Sequence, residues 1–325
     1  MLAGSRWRDR LARRRLVIIT VTLNTAIDKT YTVENFVIDR VHRPVETKST
    51  AGGKGINVAR VLKELGREAL ATGFIGGNNG DKIIEGLDGE GIRHDFVRTA
   101  GESRICVAIV DPINRTQTEV NEIGPEAAPE DLRALKSALE RDIAGADFIV
   151  LSGNARPGVP DDFYADIIAL ARRHNVRAVL DASGAHLSKG VAAGPFMVKP
   201  NVAELSSLRG RELLTREEIV HAAKALIASG TSVVVVSMGR AGCIATDGKR
   251  SWQAAPPEIQ FVSAVGSGDA LVAAFIVATL SGLDVPEAVR AGMAAGAANA
   301  MTFGAGFCTR ESIETLKDRV HVVEI

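Results

Sequence analysis

Short runs of β-branched and apolar residues alternate with stretches of helical periodicity along most of this chain, and few architectures accept that alternation. "VIITVTLN" (17–24) reads as a buried first strand, "INVARVLKELG" as the helix behind it and "ALATGFIGG" as the next strand. "DFIVLSG" (147–153), "RAVLDASG" (177–184), "FMVKPN" (196–201) and "SVVVVSMG" (232–239) read as further core strands. Strands spaced by helices in this way predict a mostly parallel sheet covered on both faces, a three-layer α/β/α core. Several of the strands end in Gly, Ser, Asp or Asn, and in open α/β sheets ligands gather at those carboxyl ends.

Two stretches break the alternation. Residues 29–50 and 94–122 are rich in β-branched and polar residues and show no convincing helix. Unstructured loops of that length are uncommon. We therefore read both as strands of a small accessory sheet, a lid outside the main one. Residues 1–15 carry six arginines and no apolar h-region. They read as a basic N-terminal extension, not a secretory signal, ahead of one domain at 16–325.

Composition excludes several classes of function. The 325 residues hold 39 basic and 39 acidic side chains, so there is no broad positive field for nucleic acid or an anionic membrane. Any anion must be held locally. Three cysteines without a CxxC pair, and six scattered histidines, argue against a disulfide framework or a zinc site. A reducing cytoplasm is the expected setting. The longest apolar run, "ALVAAFIVATLSGL", is too short to span a bilayer and reads as a buried helix.

Two glycine-rich turns stand directly before helices. In "AGGKGIN" (51–57), glycines permit close backbone approach, and a helix start presents unpaired N–H groups and partial positive charge. The spacing matches neither a P-loop nor a dinucleotide fingerprint, since Lys54 is followed by Gly55. In "GSGD" (266–269) three small residues precede a carboxylate at the first turn of an almost wholly apolar helix. An N-cap alone would explain Asp269 but not the Gly-Ser-Gly before it. A backbone nest for a transferring phosphoryl group, with a carboxylate to deprotonate the attacking hydroxyl, explains both.

Together the two turns resemble the signatures of the PfkB carbohydrate kinases of the ribokinase superfamily, over essentially all of residues 16–315. "TLNTAID" (22–28) is similar to that family's substrate-binding entry, "VKPNVAEL" (198–205) to its Asn-x-x-Glu magnesium motif and "VVSMGRAGCIA" (235–245) to its nucleotide loop. "QTEVNEIGPE" looks closest to the 1-phosphofructokinase and tagatose-6-phosphate kinase branch. The resemblance implies a ribokinase-like fold and roles for named positions. Asp269 is then the catalytic base, with Gly266, Ser267 and Gly268 as the anion hole. Asp28, Gly53 and Asn57 hold sugar hydroxyls, and Lys199, Ser237, Gly239 and Gly242 hold ATP. Asn201 and Glu204 hold Mg²⁺ through its waters. It also implies a homodimer formed through the lid. Thr25 and "SGNARPG" (152–158) depart from the family pattern on the presumed substrate side.

A sugar phosphate brings nearly two negative charges that a neutral sugar lacks. Lys54, in the glycine turn, and Arg104, on a lid strand, are the expected grips for that phosphate, with Arg43 as a third. The expected reaction is ATP-dependent phosphorylation of the primary hydroxyl of a ketohexose phosphate, either fructose 1-phosphate or tagatose 6-phosphate. The alternatives are a 6-phosphofructokinase, a neutral sugar or nucleoside kinase of the same superfamily, and a silent sugar-phosphate-binding regulator.

Overall fold

The computed structural model describes residues 17–325, so the basic extension expected at 1–15 lies outside the described residues. In chain order the elements are β1 (Val17–Thr22), β2 (Ala26–Thr32), β3 (Glu46–Gly52), α1 (Lys54–Glu64), β4 (Ala69–Ile75), α2 (Gly77–Glu90) and β5 (Arg93–Arg98). Next come β6 (Arg104–Asp111), β7 (Thr116–Asn121), α3 (Pro129–Asp142), β8 (Ala146–Ser152), α4 (Phe163–Arg173), β9 (Arg177–Asp181) and α5 (Gly184–Ala192). The chain continues through β10 (Met197–Val198), α6 (Val202–Arg209), α7 (Arg216–Ala228), β11 (Val233–Ser237), β12 (Cys243–Thr246) and β13 (Ser251–Ala255). It ends with α8 (Ser267–Leu280), α9 (Val285–Ala300), α10 (Arg310–Lys317) and β14 (His321–Glu324).

Ten strands form the main sheet in the order β14-β13-β12-β11-β10-β9-β8-β1-β4-β5. From β5 to β11 every pairing is parallel, as the strand–helix alternation requires. Strands β12, β13 and β14 then extend one edge antiparallel. The period-two alternation of side chains divides the core in two. Ile18, Phe148, Val150, Val233 and Val235 face one layer, with α1, α2, α8, α9 and α10. Ile19, Val21, Ile149, Leu151, Val234 and Val236 face the other, with α3, α4, α5, α6 and α7. Helix α8 is apolar all round because it packs against α1 and α9 as well as the sheet.

The accessory sheet exists, in the order β3-β2-β6-β7. One boundary differs from expectation. Residues 94–98 belong to β5, which pairs parallel with β4 at the edge of the main sheet. Its mixed polar sequence is that of an edge strand with one solvated face, which sequence alone does not separate from an accessory strand. The antiparallel edge was also not anticipated. No helix among the described residues is long and apolar enough to cross a membrane.

Candidate active site

The candidate residues gather at the carboxyl ends of the parallel strands, between the N-termini of α1 and α8. The glycines of the first turn are there for contact. A Cβ on Gly55 would lie 2.4 Å from Thr22 Oγ1, and one on Gly52 would lie 2.2 Å from the Asp28 carboxyl carbon. Gly53 has φ of 112°, a conformation L side chains rarely adopt. The turn thus lays α1 directly on the end of β1, with Lys54 and Asn57 on its first helical turn. Gly266, the N-cap of α8, has φ of 81° and abuts Ala305.

At the N-terminus of α8, Asp269 is buried, and its Oδ2 accepts a 2.9 Å hydrogen bond from Asn57 Nδ2. Burial pushes the Asp269 carboxyl up to about 6. Lys54 opposes that shift, Asp181 adds to it, and Asn57 and Lys199 again oppose it. A carboxylate so placed is poised near neutral pH, where general bases work best. Lys199 is close by: a Cβ on Gly268 would lie 3.2 Å from its Nζ.

The sequence reading passed over Asp181, although it ends strand β9 and terminal polar residues were the signal for the site. It is almost completely buried, and its Oδ1 receives both Lys54 Nζ and Lys199 Nζ at 3.2 Å. Burial raises its pKa, but the two ammonium groups outweigh that and hold it below the usual carboxylate range. Its Oδ2 is buried with no partner. Lys54 is correspondingly held above the usual lysine range, by Asp181 foremost and, after the cost of burial, by Asp269 and Glu204. Arg60 and Asn299 were passed over as well. Arg60 reads as one charge in an apolar helix, and Asn299 as one amide in an alanine run. Asn299 is fully buried: its Nδ2 donates to the Val265 carbonyl at 2.7 Å and its Oδ1 accepts from Gly306 N–H at 2.7 Å. It thereby fixes the Gly266–Asp269 turn against the loop after α9.

The accessory sheet supplies the opposite wall. Asp28 pairs with Cys106, and Ala26 with Arg104, so Asp28 and Arg104 lie on one face of the sheet. Burial pushes Asp28 up to about 6, while Arg60, Arg104 and the Gly53 N–H draw it down. Arg104 donates through Nε to the Asn24 carbonyl at 3.3 Å and through Nη1 to the Glu122 carbonyl at 2.9 Å. Arg43 is exposed on the β2–β3 connection, apart from these contacts.

On the other side, Ser237 ends β11 and bridges to Asn201. Gly239 opens a single 3₁₀ turn, and Gly242 closes it with φ of 89°. Asn201 and Glu204 form a capping box on α6: Glu204 N–H donates to Asn201 Oδ1 and Asn201 N–H to Glu204 Oε2, both at 2.8 Å. Glu204 Oε1 takes no part in the capping box and remains a hard oxygen acceptor whose charge acts on Lys54. A single carboxylate oxygen of this kind suits a cation that keeps most of its waters. Among the described residues no three His, Cys, Asp or Glu side chains form a closed metal cage.

The model of the pfkB family carbohydrate kinases matches residues 15–312. A 1-phosphofructokinase of Rhodobacter capsulatus is 40% identical over 276 residues, 85% of this chain and 87% of the relative. A 1-phosphofructokinase of Borreliella burgdorferi is 32% identical over 310 residues, 95% of this chain and 99% of the relative. The crystal structure of phosphofructokinase-2 from Escherichia coli in complex with substrates and products superposes with a TM-score of 0.87 at 29% identity. That match covers 94% of this chain and 98% of the other.

Proposed function

Because the chain belongs to the pfkB family of carbohydrate kinases, a phosphotransferase family with an alcohol acceptor, we propose that it transfers the γ-phosphoryl of ATP to a ketohexose phosphate, fructose 1-phosphate first among them. The observation that carries the reading is Asp269: a buried carboxylate, raised to about 6, at the mouth of an apolar helix behind Gly-Ser-Gly.

In this reading Asp269 takes the proton of the primary hydroxyl as the oxygen attacks the γ-phosphorus. The new O–P bond forms while the bond to the bridging oxygen breaks, and ADP leaves with that oxygen's charge. The Gly266 and Gly268 amides are left for the phosphoryl oxygens in flight, whereas the Ser267 N–H, expected in the same hole, donates to the Ala264 carbonyl at 3.1 Å and closes the turn. The transition state is loose, so positioning and charge stabilisation supply most of the rate. Glu204, assisted by Asn201, would hold Mg²⁺ through its waters, and that ion would neutralise ATP phosphate charge. Ser237, Gly239 and Gly242 border the nucleotide side.

From sequence alone, both Lys54 and Arg104 are expected at the phosphate that the substrate brings. In fructose 1-phosphate that group and the accepting hydroxyl are at opposite ends of the carbon chain. The charge of Lys54 acts on Asp269, Asp181 and Glu204. We therefore assign Lys54, with Lys199, to the phosphoryl in flight. Arg104, beside Asp28 on the accessory sheet, is left for the substrate's own phosphate. Asp28, Gly53 and Asn57 meet the sugar hydroxyls.

The accessory sheet acts as the lid and as the dimer contact. Ile38 and Val41 on the β2–β3 connection are 86% and 88% exposed, and Val45 on the same connection, Val120 on β7 and Ile123 just after it are exposed as well. A second copy would cover these side chains. The cytoplasm, where ATP and phosphosugars occur, is the proposed location. The test is an ADP-release assay with fructose 1-phosphate, tagatose 6-phosphate, fructose 6-phosphate and plain fructose. Turnover of plain fructose equal to that of all three phosphates would sink the substrate class.

A further inference from the structure

Arg60 is an unusual residue for the middle of α1. Its side chain is 7% exposed, on a helix whose residues 55–62 are all buried. A guanidinium in that position must find partners for five N–H groups, and it has no acceptor of its own. Arg60 satisfies all five. Nε and Nη2 donate to the two Glu90 oxygens at 2.6 and 2.9 Å. Nη2 also donates to the Ala51 carbonyl at 2.7 Å, and Nη1 to the Ala305 carbonyl at 2.9 Å. The remaining Nη1 hydrogen goes to Asn57 Oδ1 at 3.1 Å. The guanidinium Cζ lies 4.5 Å from the centre of the Phe307 ring.

That last bond has a chemical consequence. Arg60 can only donate, so the Asn57 atom facing it is the carbonyl oxygen. The amide NH₂ is then the end that faces Asp269, and it donates to Oδ2 at 2.9 Å. Without Arg60 the amide could turn over and present its oxygen to the carboxylate, replacing attraction with repulsion. With Oδ2 engaged, Oδ1 is the oxygen left for the hydroxyl proton. Ala305, held by the same guanidinium, is the residue against which Gly266 packs. Lysine could not do this, because a single ammonium cannot fork to five acceptors in one plane.

We propose that Arg60 is a positioning residue for phosphoryl transfer, one that locks the Asn57 amide in the orientation that donates to Asp269. The inference rests on the reading of Asp269 as the base. Besides Asn57, the groups facing Asp269 are Lys54 on α1, Asp181 at the end of β9 and Lys199 after β10. None of them changes in the variants below.

The test measures pH–rate profiles for Arg60→Lys, Asn57→Ala, the double variant and Asp269→Asn, each checked for folding by circular dichroism. Arg60→Lys keeps the charge and loses the fork. It is expected to lower kcat about tenfold, leave KM for ATP within about twofold, and move the acidic limb of kcat upward by about one pH unit. In the Asn57→Ala background the same substitution should add nothing. Arg60→Gln, whose amide ends at the position of Nε and does not reach Asn57, replaces Arg60→Lys if that variant does not fold, and should show the same loss of kcat and the same upward move of the acidic limb. A fall in kcat with an unmoved acidic limb, or full additivity with Asn57→Ala, would overturn the proposal and leave Arg60 a structural tie. An active Asp269→Asn enzyme would instead overturn the base assignment, so the two failures are distinct.

Discussion

Lys54 and Lys199 close on one oxygen, Oδ1 of Asp181, each at 3.2 Å. The two ammonium groups come from opposite walls, α1 and the turn after β10, so the carboxylate sets the separation of two cations that would otherwise repel. Their charges face Asp269, which stands at the start of α8. A buried anion between two cations at the carboxyl edge of a parallel sheet is a device for holding positive charge where a third party brings negative charge.

Asp181→Asn should therefore damage stability and the pH profile in definable ways. The native carboxyl is held below its ordinary value, so its contribution to stability is present above the unfolded pKa and lost as pH falls through the folded one. At neutral pH the variant should lose about 3 kcal/mol, because a buried Lys199 is left without its anion. Asp181 also raises Asp269 as a like charge. Its removal should move the acidic limb of kcat to lower pH. An unchanged melting temperature, or a limb displaced upward, would contradict this account.

Lys54→Ala and Arg104→Ala should separate the two ends of the substrate. Loss of a charge-assisted contact costs roughly 1.5–3 kcal/mol, about ten- to a hundred-fold. For Arg104→Ala that loss should fall on KM for the phosphosugar, with KM for ATP unchanged. For Lys54→Ala it should fall mainly on kcat, with a smaller change in KM for the sugar. Steady-state kinetics with each substrate varied in turn would check this. A Lys54→Ala enzyme with normal kcat and a raised KM for the sugar alone would return Lys54 to the substrate's own phosphate.

The two glycines of the second turn should fail differently. At Gly268 the nearest atom to a new Cβ is Nζ at the far end of the Lys199 side chain, at 3.2 Å. Gly268→Ala should fold with little loss of stability, since a shift of a few tenths of an ångström at the tip of Lys199 accommodates the methyl group with the Asp181 contact kept, and lose activity because that group crowds the phosphoryl position. Gly266 has positive φ, and a Cβ there would lie 2.8 Å from the Ala305 backbone. Gly266→Ala should lose stability as well as activity, by about 1–3 kcal/mol. Melting curves read beside turnover distinguish the two, and equal stability losses would refute the difference.

Much of this was legible in the sequence, for physical reasons. Strands β1, β4, β8, β9, β10 and β11 are buried on both faces and read as apolar runs, so the parallel sheet showed itself. The ribokinase-like architecture expected from the motifs was borne out. Strand β5 did not show itself, because at a sheet edge its alternation of Arg93, His94, Asp95 and Phe96 resembles that of an accessory strand. The glycine turns announced Lys54, Asn57 and Asp269 through backbone requirements that few residues meet. Asp181, Arg60 and Asn299 carry no such local signature. Each needs at least one partner far along the chain (Lys54 for Asp181, Ala305 for Arg60, Val265 for Asn299), and only the packed fold brings those partners within reach.

Asp269→Asn provides the last prediction, in which activity and stability should part. Loss of the base should lower turnover by about 10²–10⁴ while ATP and sugar binding stay within a few-fold. In the wild type, the acidic limb of kcat should lie near the raised value of about 6, because only the carboxylate can take the proton. For stability the sign is opposite. The folded pKa is raised from 3.8 to about 6, so between those values the native state binds more protons than the unfolded chain. The protonated group's contribution is fully present below the unfolded pKa and is lost as pH rises through the folded one. At pH 8 the buried charge is a burden on the order of 2–3 kcal/mol. Asn carries no charge, and its side-chain oxygen can still accept from Asn57. The variant should therefore melt several degrees higher than wild type at pH 8 and at nearly the same temperature at pH 4. Thermal unfolding at both pH values, alongside turnover, checks the two signs together. An inactive variant that is less stable than wild type at pH 8 would mean that the carboxylate is held by the fold for its own stability, not kept there at a cost for the reaction.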